Sequence, residues 1–180
     1  MAVLIDGLIT DLRAETDVLL DATGALTEVT WRTPTPAEGW TIHDQLTHLA
    51  FFDTAITTAV LDPARFRAER ESAMNEVSGY IDNVTAANRD RTGDDVLGWF
   101  RGARVTMIDA FSAADSTARV PWFGPDMSLA AALTSRIMET WAHGQDVFDA
   151  LGAAHPLTSA LRQVAHLGVR ALPNSFITLG

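Results

Sequence analysis

The chain contains no cysteine, which excludes disulfides and thiolate metal ligands alike. It contains no lysine either: all thirteen basic residues are arginine, set against twenty-three acidic ones for a formal net charge of −10. Nucleic-acid binders carry a basic patch or run, and none occurs here, while the same acidity disfavours docking on anionic membranes. No apolar run approaches the ~18 residues that a membrane span needs. The N-terminal stretch from Met1 to Leu12 is interrupted by Asp6 and Asp11 and lacks a basic leader, so it does not read as a signal peptide. These absences leave a cytoplasmic globular protein, and 180 residues suffice for one domain with its own core.

What is present is helical periodicity. Ile5, Leu8, Ile9, Leu12, Leu19 and Ala22 recur at three and four, one face of a helix ending near Gly24. A long connection follows to Trp40, with Pro34, Pro36 and Gly39, and its Val29, Trp31 and Trp40 are expected to pack over the end of the domain. Thr41 with Asp44 approximates a capping box before the stripe Ile42, Leu46, Leu49, Ile56 and Val60, which Asp62-Pro63 ends. One or two short helices are expected between Ala64 and Arg91, and Thr92 with Asp95 repeats the capping pattern before another long helix. A loop, Val120-Pro121-Trp122-Phe123-Gly124-Pro125, precedes the fourth, with Asp126 or Ser128 as its cap and Gly152 as its stop. A shorter helix from about Thr158 to Arg170 closes the pattern. No segment alternates with period two. The expectation is all-α: a single domain over residues 1–180, built as a four-helix bundle with long crossovers and extra short helices.

Glu139, His143 and Asp146 carry the chemistry. At about 100° per residue they fall within about 60° of arc on one helix face, beside the stripe Leu133, Ile137, Gly144 and Leu151. Buried carboxylates and imidazoles need partners, and a cation satisfies both together. His48, in the middle of the second long helix, is the natural third donor. Two nitrogens and a carboxylate oxygen suit Zn²⁺ with an open position for water or substrate, and also suit Fe(II) or Ni(II). Asp146 then serves to orient a liganding imidazole. The competing explanation is a polar cluster without metal, in which Arg136, one turn before Glu139, forms the salt bridge. His43 in the first turn of its helix reads as packing or capping, and His155 and His166 as structural or solvated. Asp53 sits in the centre of an apolar stripe, where a carboxylate needs a partner.

Two motifs carry a family resemblance. Gly39-Trp40-Thr41-Ile42-His43-Asp44-Gln45-Leu46-Thr47-His48-Leu49 resembles the first ligand motif of the DinB-like bundles, and more closely that of the N-terminal domain of mycothiol-dependent maleylpyruvate isomerases. Arg136-Ile137-Met138-Glu139-Thr140-Trp141-Ala142-His143-Gly144-Gln145-Asp146 is similar to that family's Glu-x-x-x-His helix. The resemblance implies His48, Glu139 and His143 as ligands of a divalent metal, most often zinc. Many DinB-like members place a third histidine where Glu139 stands, so the glutamate points to the mycothiol branch. The loop around Trp122 and the Trp141 helix look closer still to an actinobacterial subgroup of metal-binding proteins. Members often continue into a smaller C-terminal domain that brings a catalytic arginine, whereas this sequence stops at Phe176-Ile177-Thr178-Leu179-Gly180.

Three functions follow as expectations. The first is an isomerase or transferase using mycothiol or a similar thiol as cosubstrate, with His43, Asp53 and Arg104 on the pocket wall. The second is a metal-dependent hydrolase with Asp146 or Asp53 as general base. The third is a non-catalytic metal-binding protein. The resemblance also implies a homodimer.

Overall fold

Side-chain caps decide where the long helices begin. Thr41 accepts from the backbone of Asp44, whose carboxylate returns the bond to the Thr41 backbone at 2.9 Å, and this box opens α3 (Ile42–Leu61). Thr92 and Asp95 make the same reciprocal pair ahead of α6 (Gly93–Ala113). Each box satisfies donors that the first helical turn leaves free. Ser128 rather than Asp126 caps α7 (Leu129–Leu151), since its hydroxyl accepts from Ala131 N, while Asp126 pairs with Arg67. Gly152, at φ 65°, ends α7 in the left-handed conformation that glycine adopts without strain.

The computed structural model describes the backbone of residues 2–74 and 80–179 and the side chains of residues 4–71 and 83–170. α1 (Ala2–Thr23) packs against α7 and α6, and α3 packs against α6 and α7, within the all-α fold expected. α4 (Pro63–Met74) and α5 (Tyr80–Ala86) supply the short helices between α3 and α6, and the expectation for residues 75–79 lies outside the described residues. α8 (Ala160–Leu179) runs past Arg170 and covers α7 and α1. The side chains from Phe176 to Leu179, and all of Gly180, lie outside the described residues. No helix of the described residues is long and apolar enough to cross a membrane.

The core has two parts. Leu12, Ile56, Met107, Phe111 and Ile137 centre one, and Leu19, Trp31, Ile42, Leu46 and Phe100 centre the other. Full burial of such side chains contributes about 1.5–3 kcal/mol each. Two local features were not legible in the pattern. The connection after α1 contains a single helical turn, α2 (Glu28–Trp31), capped by Thr27; it buries Trp31 but leaves Val29 85% exposed rather than packed. The Pro/Gly loop is a hairpin, β1 (Arg119–Val120) antiparallel to β2 (Met127–Ser128), with strands too short to show alternation. This hairpin seats Trp122 and Phe123 against Phe52 and Phe66.

Gly93 is where α2 and α6 meet. Its backbone N–H donates to Glu28 at 2.8 Å, and a Cβ placed there would lie 2.1 Å from Trp31 Cδ1. Gly93→Ala is therefore expected to lower stability by about 1–3 kcal/mol, the usual cost of overpacking. An unchanged urea midpoint would show that Trp31 moves aside freely.

Candidate metal centre

α3 and α7 lie side by side, and this contact assembles the site. His48 projects from the middle of α3, and Glu139 and His143 stand one turn apart on α7. The Nε2 atoms of His48 and of His143 each lie 3.2 Å from the same oxygen, Glu139 Oε2. One donor atom from each residue falls within 4.8 Å of the others, the only such grouping among the described residues. His48 is 8% exposed, His143 19% and Glu139 28%, so the cluster is walled on the α3 side and open on the α7 side.

The donor set fits a cation better than it fits itself. Gln45 Oε1 accepts from His143 Nδ1, so in the neutral ring the proton sits there and Nε2 is a lone pair. That lone pair faces a carboxylate oxygen at 3.2 Å, and two acceptors repel unless a proton or cation lies between them. His48, Glu139 and His143 together offer two imidazole nitrogens and one carboxylate oxygen, a set suited to Zn²⁺ with room for a further ligand.

Burial alone raises the Glu139 carboxyl. When their facing nitrogens carry a proton, the His143 and His48 imidazoles hydrogen-bond the carboxylate, and with the Arg136 charge they outweigh burial and hold the group well below the usual carboxylate range. For His48, burial outweighs the Glu139 hydrogen bond and, with the charges of His143 and Arg136, lowers the imidazole from its ordinary 6.5. His43 is lowered likewise, by burial first and then by Arg32. The unfolded histidines accept protons near 6.5 that the folded ones resist, so their stabilisation is present above that pH and lost below it. Glu139 acts in the same direction, its contribution being lost as pH falls below the ordinary 4.5. The urea midpoint of metal-free protein is thus expected to fall between about pH 7.5 and about pH 5. A constant or rising midpoint would contradict these assignments.

The other residues singled out in the sequence are distributed differently from the expectation. Arg136 acts on Glu139 through its charge and not through a direct salt bridge: its Nε donates to Asp53 Oδ1 at 3.0 Å and its Nη2 to the Leu49 carbonyl. Asp53 also accepts from Arg104 Nε at 2.6 Å, and Arg104 continues to Thr16 and Thr140. All three charged groups are buried, so Asp53 and Arg104 belong to the core and not to a pocket wall. His43 is buried against the Arg91 carbonyl at 3.1 Å, in the packing role. Asp146 does not bond the His143 ring; it accepts from Gln45 Nε2 at 2.9 Å. His155 is a buried partner of Glu15, whereas His166 is exposed.

Sequence reasoning passed over Gln45 and Trp40. Gln45 lies three residues before His48, on the same helix face, which was the available signal. Trp40 stacks on the His143 ring at 5.9 Å and tilts against His48 at 5.4 Å. Phe52 packs on His48 at 4.5 Å, and Trp122 and Phe123 extend that wall. The open side of the cluster therefore adjoins an aromatic surface.

Comparison with known proteins places this arrangement. The profile of the mycothiol maleylpyruvate isomerase N-terminal domain matches residues 12–148. Two uncharacterized proteins of Mycobacterium tuberculosis, from strains CDC 1551 and H37Rv, are 40% identical over 169 residues, which is 94% of this chain. The chain spans 66% of the length of those relatives. Crystal structures of the mycothiol-dependent maleylpyruvate isomerase and of a histidine-to-alanine mutant superpose with TM-scores of 0.63 at 16% and 14% identity. The superposition covers 79% of this chain and 60% of theirs, a likeness of fold.

Proposed function

This chain belongs to the mycothiol maleylpyruvate isomerase N-terminal domain family, and from that premise we propose that it is the metal- and thiol-holding bundle of a thiol-dependent isomerase or transferase. The observation that carries the reading is the aim of two histidine Nε2 atoms at one Glu139 oxygen, with the His143 proton held on the far side of its ring. His48, Glu139 and His143 are the residues that would hold a divalent cation, zinc first by donor chemistry. Bound there, such a cation supplies the Lewis acidity that keeps a thiol in its nucleophilic thiolate form near neutral pH.

The chain's own residues do the rest. With no cysteine available, the sulfur must come from a small-molecule cosubstrate, mycothiol or a similar thiol. Trp40, Phe52 and Trp122 exclude water from one side of the cluster and offer apolar surface to a carbon skeleton. A hydrolase would need a free general base, and both candidates are committed: Asp146 to Gln45, Asp53 to two arginines. The thiol reading is preferred on that ground.

Calorimetric titration of mycothiol into the zinc-loaded and metal-free protein tests it. Saturable binding that needs the metal, and that fails for an analogue with the thiol replaced by hydroxyl, is expected. Equal binding with and without metal, or none at all, would overturn the thiol reading.

A further inference from the structure

The amide of Gln45 is fixed in orientation from two directions. The Trp40 carbonyl can only accept, so the Thr35 hydroxyl donates to it at 3.2 Å and turns its lone pair to Gln45 Nε2 at 2.9 Å. Asp146 Oδ2, also an acceptor, takes the second proton of the same nitrogen at 2.9 Å. Both demands place the amide nitrogen away from His143 and leave Gln45 Oε1 facing Nδ1. Gln45 is fully buried and cannot exchange this arrangement for water. His48 has no comparable restraint, since its Nδ1 is buried without a hydrogen-bond partner among the described residues.

We propose that Gln45, held by Asp146 and Thr35, is the positioning residue that keeps the His143 proton on Nδ1 and so presents the Nε2 lone pair to the cation. The inference rests on the metal reading above, and extends it to residues that touch neither metal nor thiol. Asp146 acts only through Gln45. Its carboxylate sets the polarity of the amide, and the amide sets the polarity of the ring. The turn that carries Thr35 and Trp40 therefore shares in the same device: Thr35 N–H donates to the Trp40 carbonyl at 2.8 Å, and the Trp40 ring lies on the imidazole that Gln45 orients.

Exchanging the two partners provides the test, because it restores the polarity with the groups reversed. Gln45→Met removes the acceptor from His143 Nδ1, and Asp146→Asn alone lets the Gln45 amide turn over. Each single variant is expected to lose zinc affinity about 10- to 100-fold in chelator competition, the usual effect of removing an outer partner of a metal-bound histidine. The double variant Gln45→Glu/Asp146→Asn lets the new carboxylate accept from His143, from the new amide and from the Thr35 hydroxyl, which turns from a Trp40 carbonyl still held by Thr35 N–H, and is expected to return to within about threefold of wild type. Thermal unfolding is measured in parallel, since a merely structural role would lower melting temperature without moving zinc affinity. Single variants that bind zinc as tightly as wild type, or a double variant no better than the weaker single, would overturn the proposal. A wild type that binds no zinc would defeat the metal reading instead. In that case, NMR of the metal-free protein decides the inference: a hydrogen-bonded His143 Nδ1–H sustains it, and its absence refutes it.

Discussion

Asp53→Ala is expected to lower the free energy of unfolding by about 3–5 kcal/mol, the cost of removing one partner from a buried ion pair. Asp53 is fully buried and takes one guanidinium on each oxygen, Arg104 at 2.6 Å and Arg136 at 3.0 Å. Alanine leaves both cations in the core with only neutral acceptors, Thr16, Thr140 and the Leu49 carbonyl. Burial already lowers the Arg104 pKa from its ordinary value, against the pull of Asp53. Against a total stability of about 5–15 kcal/mol for a typical domain, the loss is large. Urea denaturation of metal-free protein reads it directly, and a change below about 1 kcal/mol would mean that water or another carboxylate reaches the arginines.

Glu139→Gln is expected to act on binding, not on folding. It removes the single anionic donor of the cluster while keeping the shape of the side chain. Glutamine and glutamate have similar helix propensities, and Glu139 is 28% exposed, so the fold has little reason to change. Zinc affinity should fall by more than the about 100-fold that loss of an outer partner can cost. Chelator competition on the variant, with its helical circular dichroism as control, gives the result. Retained affinity would show that Glu139 is not a ligand.

Much of this was legible in the chain itself. Both capping boxes, the Gly152 stop and the apolar stripes are local patterns whose physics operates within a few residues. The convergence of His48 on Glu139 and His143 was readable as a chemical need: a polar trio beside an apolar stripe requires a partner. The pairing of Arg136 was not readable. Spacing along α7 offers it Glu139, but its guanidinium turns across to α3, where Asp53 is buried more deeply and takes both Arg136 and Arg104. The position of Asp53 in an apolar stripe shows that its carboxylate needs a partner, but not which one. Gln45 escaped because a neutral amide carries no spacing signature, and its role exists only once Asp146, Thr35 and His143 surround it. The hairpin escaped because two-residue strands show no alternation.

Elemental analysis of protein purified without chelator, wild type beside His143→Ala, tests the central claim most directly. A near-stoichiometric divalent metal in the wild type, lost in the variant, is the predicted result. A wild type that stays free of metal even after incubation with zinc, nickel and iron(II) would contradict the account, leaving His48, Glu139 and His143 as a hydrogen-bonded cluster between two helices.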